Sequence, residues 1–319
     1  MADTWQFAHV NDSHMGTPRS YRFRPTMNQR WAAIRAQLAS SGAELLLHGG
    51  DFTRDGDTHE FEYQQARHDI DGLPFPTFAI AGNMDVGNKH TKVRSHKRDD
   101  PAFNMTSDRL RLFSTYFGPL HWTFLHRDVR FTGFYAAVAG SGLPEEEQLW
   151  FLLNRLADLP RARHHVAMMH YWLYIDDIDE PTWDLTDKDQ YLPWYFGIDR
   201  EPRLRIYEKL KSAGVDMLFC GHMHTGRPVE EVDGMKVYKT SAGGNTAQME
   251  NRFSDFETRN GFEICTVSDG GIDVQFVPGN DQSPDVDVYG AGGHPAFTNR
   301  DYSVAREKPA LCVDPWLLD

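Results

Sequence analysis

The sequence predicts an α/β protein on three observations. Short apolar strands alternate with helical stretches, the strands stop on polar turns that often carry glycine, and those polar residues fall at the same end of successive strands. Open α/β sheets put their sites at that edge. Trp5 to Val10 is apolar enough for a buried strand and stops at Asn11, Asp12, Ser13 and His14. A helix follows, because Thr26 with Gln29 resembles a capping box, Trp31, Ile34 and Leu38 recur on one face, and Gly42 suits the stop. Strand Glu44 to Leu47 runs into His48, Gly49, Gly50 and Asp51. A helix from Thr58 to Ile70 leads to strand Pro76 to Ala81, which ends at Gly82, Asn83, Met84 and Asp85.

After Asp85 the run Lys89 to Asp100 is basic and without periodicity, and Ser107 to Phe117 is amphipathic, so 86–118 reads as an insertion. Two β-rich runs, Trp122 to His126 and Val129 to Tyr135, precede a helix opened by Pro144 and Glu145 to Glu147, negative charge at its positive end. Strand His165 to Met169 ends at His170. A second insertion, 171–200, is rich in Asp and aromatics. Helix Pro202 to Ala213 stops at Gly214, and strand Met217 to Cys220 meets Gly221, His222, Met223 and His224. Two hairpins close the pattern: Pro228 to Val232 with Lys236 to Thr240, and Phe262 to Val267 with Ile272 to Phe276. From Asn280 apolar periodicity disappears, so residues 1–280 read as one domain and 281–319 as an extended arm that could wrap a neighbouring subunit or cover its own mouth.

The 319 residues are 40% hydrophobic and 25% charged, ordinary for a globular chain with a sizeable core. A formal charge of -13 disfavours nucleic acid as a partner, because a sequence-independent grip on phosphates needs the opposite sign. No apolar run is long enough to span a membrane and the first residues lack a leader pattern, so the expectation is a cytoplasmic protein. Cys220, Cys265 and Cys312 are odd in number and far apart, which fits neither a disulfide framework nor a thiolate zinc site.

The strand ends bring together Asp12, His14, Asp51, Asn83, His170, His222 and His224, a set of carboxylates, an amide oxygen and imidazoles suited to two divalent ions. A carboxylate has two oxygens and can bridge ions about 3.5 to 4 Å apart. In the pairs Asp12/His14 and His222/His224, side chains two apart in extended backbone point the same way. Taken singly, an Asp or His after a strand is usually a cap or turn residue; the joint pattern is what points to metal.

These elements, Asp12-Ser13-His14, Gly50-Asp51, Gly82-Asn83-Met84-Asp85, His170 and Gly221-His222-Met223-His224, resemble the signature of the calcineurin-like metallophosphoesterase family. The resemblance implies a four-layer αββα sandwich of two mixed β-sheets flanked by helices. It implies a binuclear metal centre of manganese, iron or zinc, with Asp12, His14, Asp51 and His224 on one ion and Asp51, Asn83, His170 and His222 on the other. Asp51 would bridge, and Asp51, Asn83 and His222 would serve catalysis as well as binding. Phe52 and Thr53 follow Asp51, so the tyrosine-ligated ferric variant of purple acid type is not matched.

The function the resemblance implies is hydrolysis of a small phosphomonoester or phosphodiester. Two divalent ions against two carboxylates leave a centre of about +2, which offsets the phosphoryl oxygens and acidifies a bridging water. Met84 stands where the family has a histidine, and a thioether has no proton to give a leaving group. Three accounts stay open: another donor such as His90 substitutes, the substrate has an easy leaving group, or the protein is a metal-bound scaffold that has lost efficient hydrolysis. Trp172, Tyr174, Trp183, Tyr191, Trp194, Tyr195 and Phe196 could stack on a base or sugar, or pack a lid or subunit contact. Lys89, Lys92, Arg94, Lys97 and Arg98 could receive a second anionic group, or form a solvated face. A homo-oligomer is left open.

Overall fold

The computed structural model describes residues 4–18, 20, 22–90, 104–185, 187–245 and 257–284. Two sheets make its centre. The first has the order β11-β10-β1-β2-β3, with β1 (Trp5–Val10), β2 (Leu46–His48) and β3 (Thr77–Ala79) parallel and β10 (Gly261–Ser268) and β11 (Gly271–Pro278) antiparallel additions. The second has the order β4-β5-β6-β7-β9-β8, in which β5 (Val129–Phe134), β6 (His164–Met169), β7 (Met217–Cys220) and β9 (Met235–Lys239) run parallel. Strands β4 (His121–His126) and β8 (Glu230–Val232) close its two edges antiparallel.

Both sheets are mixed, and helices flank them in the expected four-layer α/β sandwich. Alternation along β1 shows how the layers form: Trp5 and Phe7 join Phe131, Val166 and Phe219 between the sheets, whereas Ala8 and Val10 join Trp31 and Ile34 beneath a helix. That helix, α1 (Pro25–Ala39), buries Met27, Trp31, Ile34 and Leu38, one face at helical spacing. On the same side lie α2 (Glu60–Asp71), the single turn α3 (Asn83–Val86) and α4 (Ser107–Phe117). The helices α5 (Pro144–Arg155) and α7 (Arg200–Ser212) bury Leu149, Leu153, Ile206 and Leu210, and α6 (Lys188–Phe196) belongs to the second insertion.

Three local expectations are corrected. Thr26 and Gln29 form no capping box: Pro25 starts α1 with Arg24 as N-cap and no side-chain cap, because a proline ring already has the helical φ and lacks an N–H to satisfy. Gly42 does not stop the helix; Ser40 ends it, and Gly42 at φ +81° turns the chain toward β2. Gly82 to Asp85 is not a plain loop, since Asn83 begins α3. The hairpin turns match the sequence reading, with Asp233 and Gly234 both at positive φ between β8 and β9. Where the expected arm begins, Asn280 and Ser283 meet α1: the Asn280 N–H donates to Gln37 Oε1 at 2.7 Å, and Arg30 Nε to the Ser283 carbonyl at 2.9 Å. Its remainder from 285, and Cys312, lie outside the described residues. Cys220 and Cys265 are buried and free.

Candidate metal centre

The carboxyl ends of β1, β2, β3, β6 and β7 meet at one edge of the sandwich, and each delivers its polar residues there as the sequence predicts. Asp12, His14, Asp51 and His224 form one group whose donor atoms all lie within 4.8 Å of one another, and Asp51, His170 and His222 form a second. Asn83 joins the second group, its Oδ1 3.3 Å from His170 Nε2. All seven side chains are buried.

The paired residues converge for a reason that strand alternation does not supply. Asp12, His14, Asp51, His222 and His224 all have positive φ, between 47° and 72°. The chain therefore leaves β1, β2 and β7 through left-handed kinks, a conformation that costs non-glycine residues energy and recurs at functional sites. The Asp12 N–H donates to the Gly50 carbonyl at 2.9 Å and the His14 N–H to the Asp51 carbonyl at 3.0 Å, which locks the kinks together. Glycine is required where they touch: a Cβ at Gly82 would lie 2.0 Å from Asp51 Oδ1, and one at Gly244 would lie 1.9 Å from the Ser13 carbonyl oxygen.

Each donor is aimed by a hydrogen bond to its other atom. Asp12 Oδ2 accepts from the His222 N–H at 2.8 Å, leaving Oδ1 toward His224 at 3.2 Å and His14 at 3.5 Å. Asp51 Oδ1 accepts from the Met84 N–H at 2.8 Å, leaving Oδ2 3.3 Å from His170 and 3.5 Å from His14. His170 turns Nε2 inward because its Nδ1–H meets the Gly49 carbonyl at 2.8 Å. His222 sets Nε2 against the Tyr195 carbonyl at 3.1 Å, which frees Nδ1 for the second group. Asn83 Nδ2 donates to Asn88 Oδ1 and to the Tyr195 hydroxyl, both at 3.2 Å, so its oxygen is the inward atom.

These observations fit divalent ions. Buried Asp12 Oδ1 accepts no hydrogen bond, and His14 Nε2 faces His224 Nε2 at 3.0 Å, where at most one proton fits between them. Donors that share an ion at about 2.0 to 2.2 Å stand roughly 3 to 3.5 Å from each other, the spacing seen here. Electrostatics agree at His14, His222, Asp12 and Asp51, and His170 is the exception. Burial lowers His14 to about 4 and His222 to about 3, so both are neutral and able to donate a lone pair. Burial would raise Asp12 and Asp51, but the surrounding imidazoles outweigh it and hold both below the usual carboxylate range. Against burial, Asp51 and Asp12 lift His170 to about 9.

Sequence reasoning missed two supporting groups. Asp85 accepts from the Gly82 N–H at 2.9 Å and from the Thr53 N–H and hydroxyl at 3.0 and 2.8 Å, tying the Asp51 loop to the Asn83 turn; burial and Asp51 push its carboxyl up to about 7. Its place in the third sequence element was the available signal. The stretch Ser241 to Gly244 packs on the first loop, with the Gly244 N–H on the Asp12 carbonyl at 3.0 Å; its run of small residues was the signal there. Ser13 donates to the Phe52 carbonyl at 3.1 Å. His48 is a core ring stacked on Phe52 at 3.4 Å.

The specificity expectations fare unevenly. Trp172, Tyr174, Tyr191, Trp194 and Phe196 are buried, so they pack the insertion and offer no face to a substrate; Trp183 and Tyr195 are half-buried. Lys89 is no solvated charge. Its Nζ donates to the Gly197 carbonyl at 2.7 Å and lies 4.3 Å over the Trp194 ring, and burial lowers it to about 8. Lys92, Arg94, Lys97 and Arg98 lie outside the described residues. His90 sets Nε2 on the Met105 carbonyl at 2.9 Å and lines a cavity of about 320 Å³ with Ala136, Asp199 and Pro202. Among the described residues, no helix is long and apolar enough to cross a membrane.

Comparison with known proteins agrees with the site. A probable cyclic nucleotide phosphodiesterase of Synechococcus sp. is 28% identical over 118 residues, 36% of this chain and 46% of that protein, so the chain spans about half the length of this curated relative. Two solved structures share the fold: a purple acid phosphatase from yellow lupin seeds (TM-score 0.61, 14% identity, 91% of this chain and 54% of that one) and GAP50, the anchor in the inner membrane complex of Plasmodium (TM-score 0.55, 16% identity, 90% and 89%). The family model for the calcineurin-like phosphoesterases matches residues 6–226, the span that carries all seven clustered side chains. The chain belongs to the calcineurin-like phosphoesterase family.

Proposed function

We propose that the chain hydrolyses a small phosphate ester at a pair of divalent ions, one held by Asp12, His14, Asp51 and His224 and the other by Asp51, Asn83, His170 and His222. The observation that carries this reading is the aiming of the carboxylates: each spends one oxygen on a backbone N–H and turns the other into the cluster. Bound there, two divalent ions supply positive charge for the phosphoryl oxygens and lower the pKa of a water. The protein's part is to fix the donors, exclude bulk water by burying all seven, and keep His14 and His222 neutral. No protein nucleophile is needed, and Ser13 is spent on Phe52.

A phosphodiester of the cyclic nucleotide kind named for the Synechococcus relative is the first substrate to try, with phosphomonoesters second. Manganese, iron and zinc suit the mixed oxygen and nitrogen donors. A second reading, a metal-bound scaffold with weakened hydrolysis, is favoured by one observation: Met84 offers a half-buried thioether in place of a proton donor. Chromogenic monoesters and diesters assayed with added manganese separate the two. The hydrolytic reading expects turnover that falls in Asp51→Asn by more than the roughly 10- to 100-fold that loss of an outer partner costs. Turnover unchanged in that variant removes the metal mechanism, and metal uptake without any turnover leaves the scaffold.

A further inference from the structure

Lys89 is a buried cation outside the metal centre. It is 5% exposed, and its Nζ donates to the Gly197 carbonyl at 2.7 Å. Its other neighbours are the Asp199 carboxylate at 3.7 Å, the Trp194 ring at 4.3 Å and the rings of Tyr171 and Trp183 at 5.9 Å. Burying an ammonium costs free energy unless partners are held ready for it. What it grips here is the end of a helix.

The last carbonyls of a helix need partners from outside its own ladder. At the end of α6 the Pro193 carbonyl takes the Gly197 N–H at 2.9 Å, that of Tyr195 takes His222 Nε2 at 3.1 Å, and that of Phe196 takes the Trp172 N–H at 3.1 Å. The carbonyl of Gly197, the C-cap, takes the Lys89 ammonium, and positive charge at that end suits the helix dipole. Tyr195 therefore lies inside a turn closed by the residue that Lys89 holds. A carbonyl only accepts, so it requires the proton of neutral His222 on Nε2 and leaves the lone pair on Nδ1, where an ion needs it.

A second tie runs through the preceding residue. Asn88 Oδ1 accepts from Asn83 Nδ2 at 3.2 Å, and the Asn88 carbonyl is fixed by the Met105 N–H at 2.8 Å. The Tyr171 ring beside Lys89 is also 4.4 Å from that of His222. Nothing that Lys89 touches among the described residues belongs to the first group.

We propose that Lys89 is a positioning residue for the second donor group: its ammonium pins the end of α6, and the pinned turn sets which nitrogen of His222 faces the ion. The proposal rests on the two-ion reading of the site, and deepens it.

The test compares wild type with Lys89→Met, which removes the charge and keeps an apolar stem, and with Lys89→Gln, which keeps an N–H donor. Metal-free full chains are examined by imidazole nitrogen NMR of His222 and then titrated with zinc, His14→Ala identifying the binding step of each group. Expected in Lys89→Met are mixed His222 tautomers where wild type has Nε2–H, an unchanged first-group step, and a second-group step weaker by about 10-fold, the low end for outer partners. Lys89→Gln should fall between, because a neutral donor makes a hydrogen bond roughly half as strong as a charged one. Equal weakening of both steps overturns the proposal by making Lys89 a support of the fold alone, and so does a second step equal to wild type. If wild type binds a single zinc, the two-ion reading fails, while the tautomer in the metal-free chains still decides the role of Lys89, an unchanged one overturning it. If Lys89→Met does not fold, Lys89→Gln decides: a weaker second step at an unchanged first supports the proposal, and wild-type affinity in both overturns it.

Discussion

The two donor groups share Asp51 yet are built in different ways. The first, Asp12, His14 and His224 around Asp51, comes from left-handed kinks at the ends of β1, β2 and β7, is sealed by the Ser241 to Gly244 stretch, and among the described residues meets no ring of the second insertion. The second, Asn83, His170 and His222, is bordered by Tyr171, Tyr195 and Phe196 from the second insertion and by Met84. Backbone locks hold the first group in place, and side chains of the second insertion stand against the second.

The hardest blow to both groups at once is Gly82→Ala. Its Cβ would overlap Asp51 Oδ1 at 2.0 Å and the Asp51 amide nitrogen at 2.3 Å, and neither is the far end of a flexible chain. We expect metal binding and turnover to be lost together, with folding stability down by about 1–3 kcal/mol, the usual cost of overpacking; metal analysis and urea unfolding measure the two. His14→Ala separates the groups, because His14 serves only the first. Metal content should fall by about half while the second group still loads, and complete loss would mean that the groups fill cooperatively.

Asp85→Asn acts at one remove on the second group. It weakens the acceptor for the Gly82 and Thr53 N–H groups without touching a donor, so turnover should fall by about 10- to 100-fold, the range for outer partners, with the fold retained. An activity equal to wild type would show that the Asn83 turn holds itself. The smallest effect lies away from the centre. His121 accepts from the Tyr135 N–H at 3.2 Å, and burial lowers its pKa from 6.5 to about 4. The unfolded chain therefore takes up the proton first as the pH falls. This contribution to stability is whole above about pH 6.5 and is lost from there down through about pH 4. His121→Asn should flatten that part of the urea-midpoint profile; an unchanged slope would locate the acid sensitivity elsewhere.

Much of the fold was legible because strands and helices write their burial into short periods. β1, β7 and α4 fall where the apolar runs end, and the five polar elements follow strands or the turns after them. The donors were legible as residue types in order, since a carboxylate or imidazole straight after an apolar strand must emerge at that strand's end. The left-handed kinks were not, because positive φ in Asp and His carries no mark in composition. The aromatic insertion misled for a related reason: rings that could stack on a ligand are the same rings that pack a core, and only burial separates Trp172 from Tyr195.

From the chain alone came the α/β class, the order of elements and the seven polar side chains at one edge, since each depends on patterns within some ten to twenty residues. The folded molecule alone decided which oxygen or nitrogen of each side chain turns inward, that Asp85 ties two loops together, and that Tyr195 meets Asn83 across 112 residues of sequence. Those are contacts between distant segments, and they exist only once two sheets have packed and brought the ends of their strands to the same place.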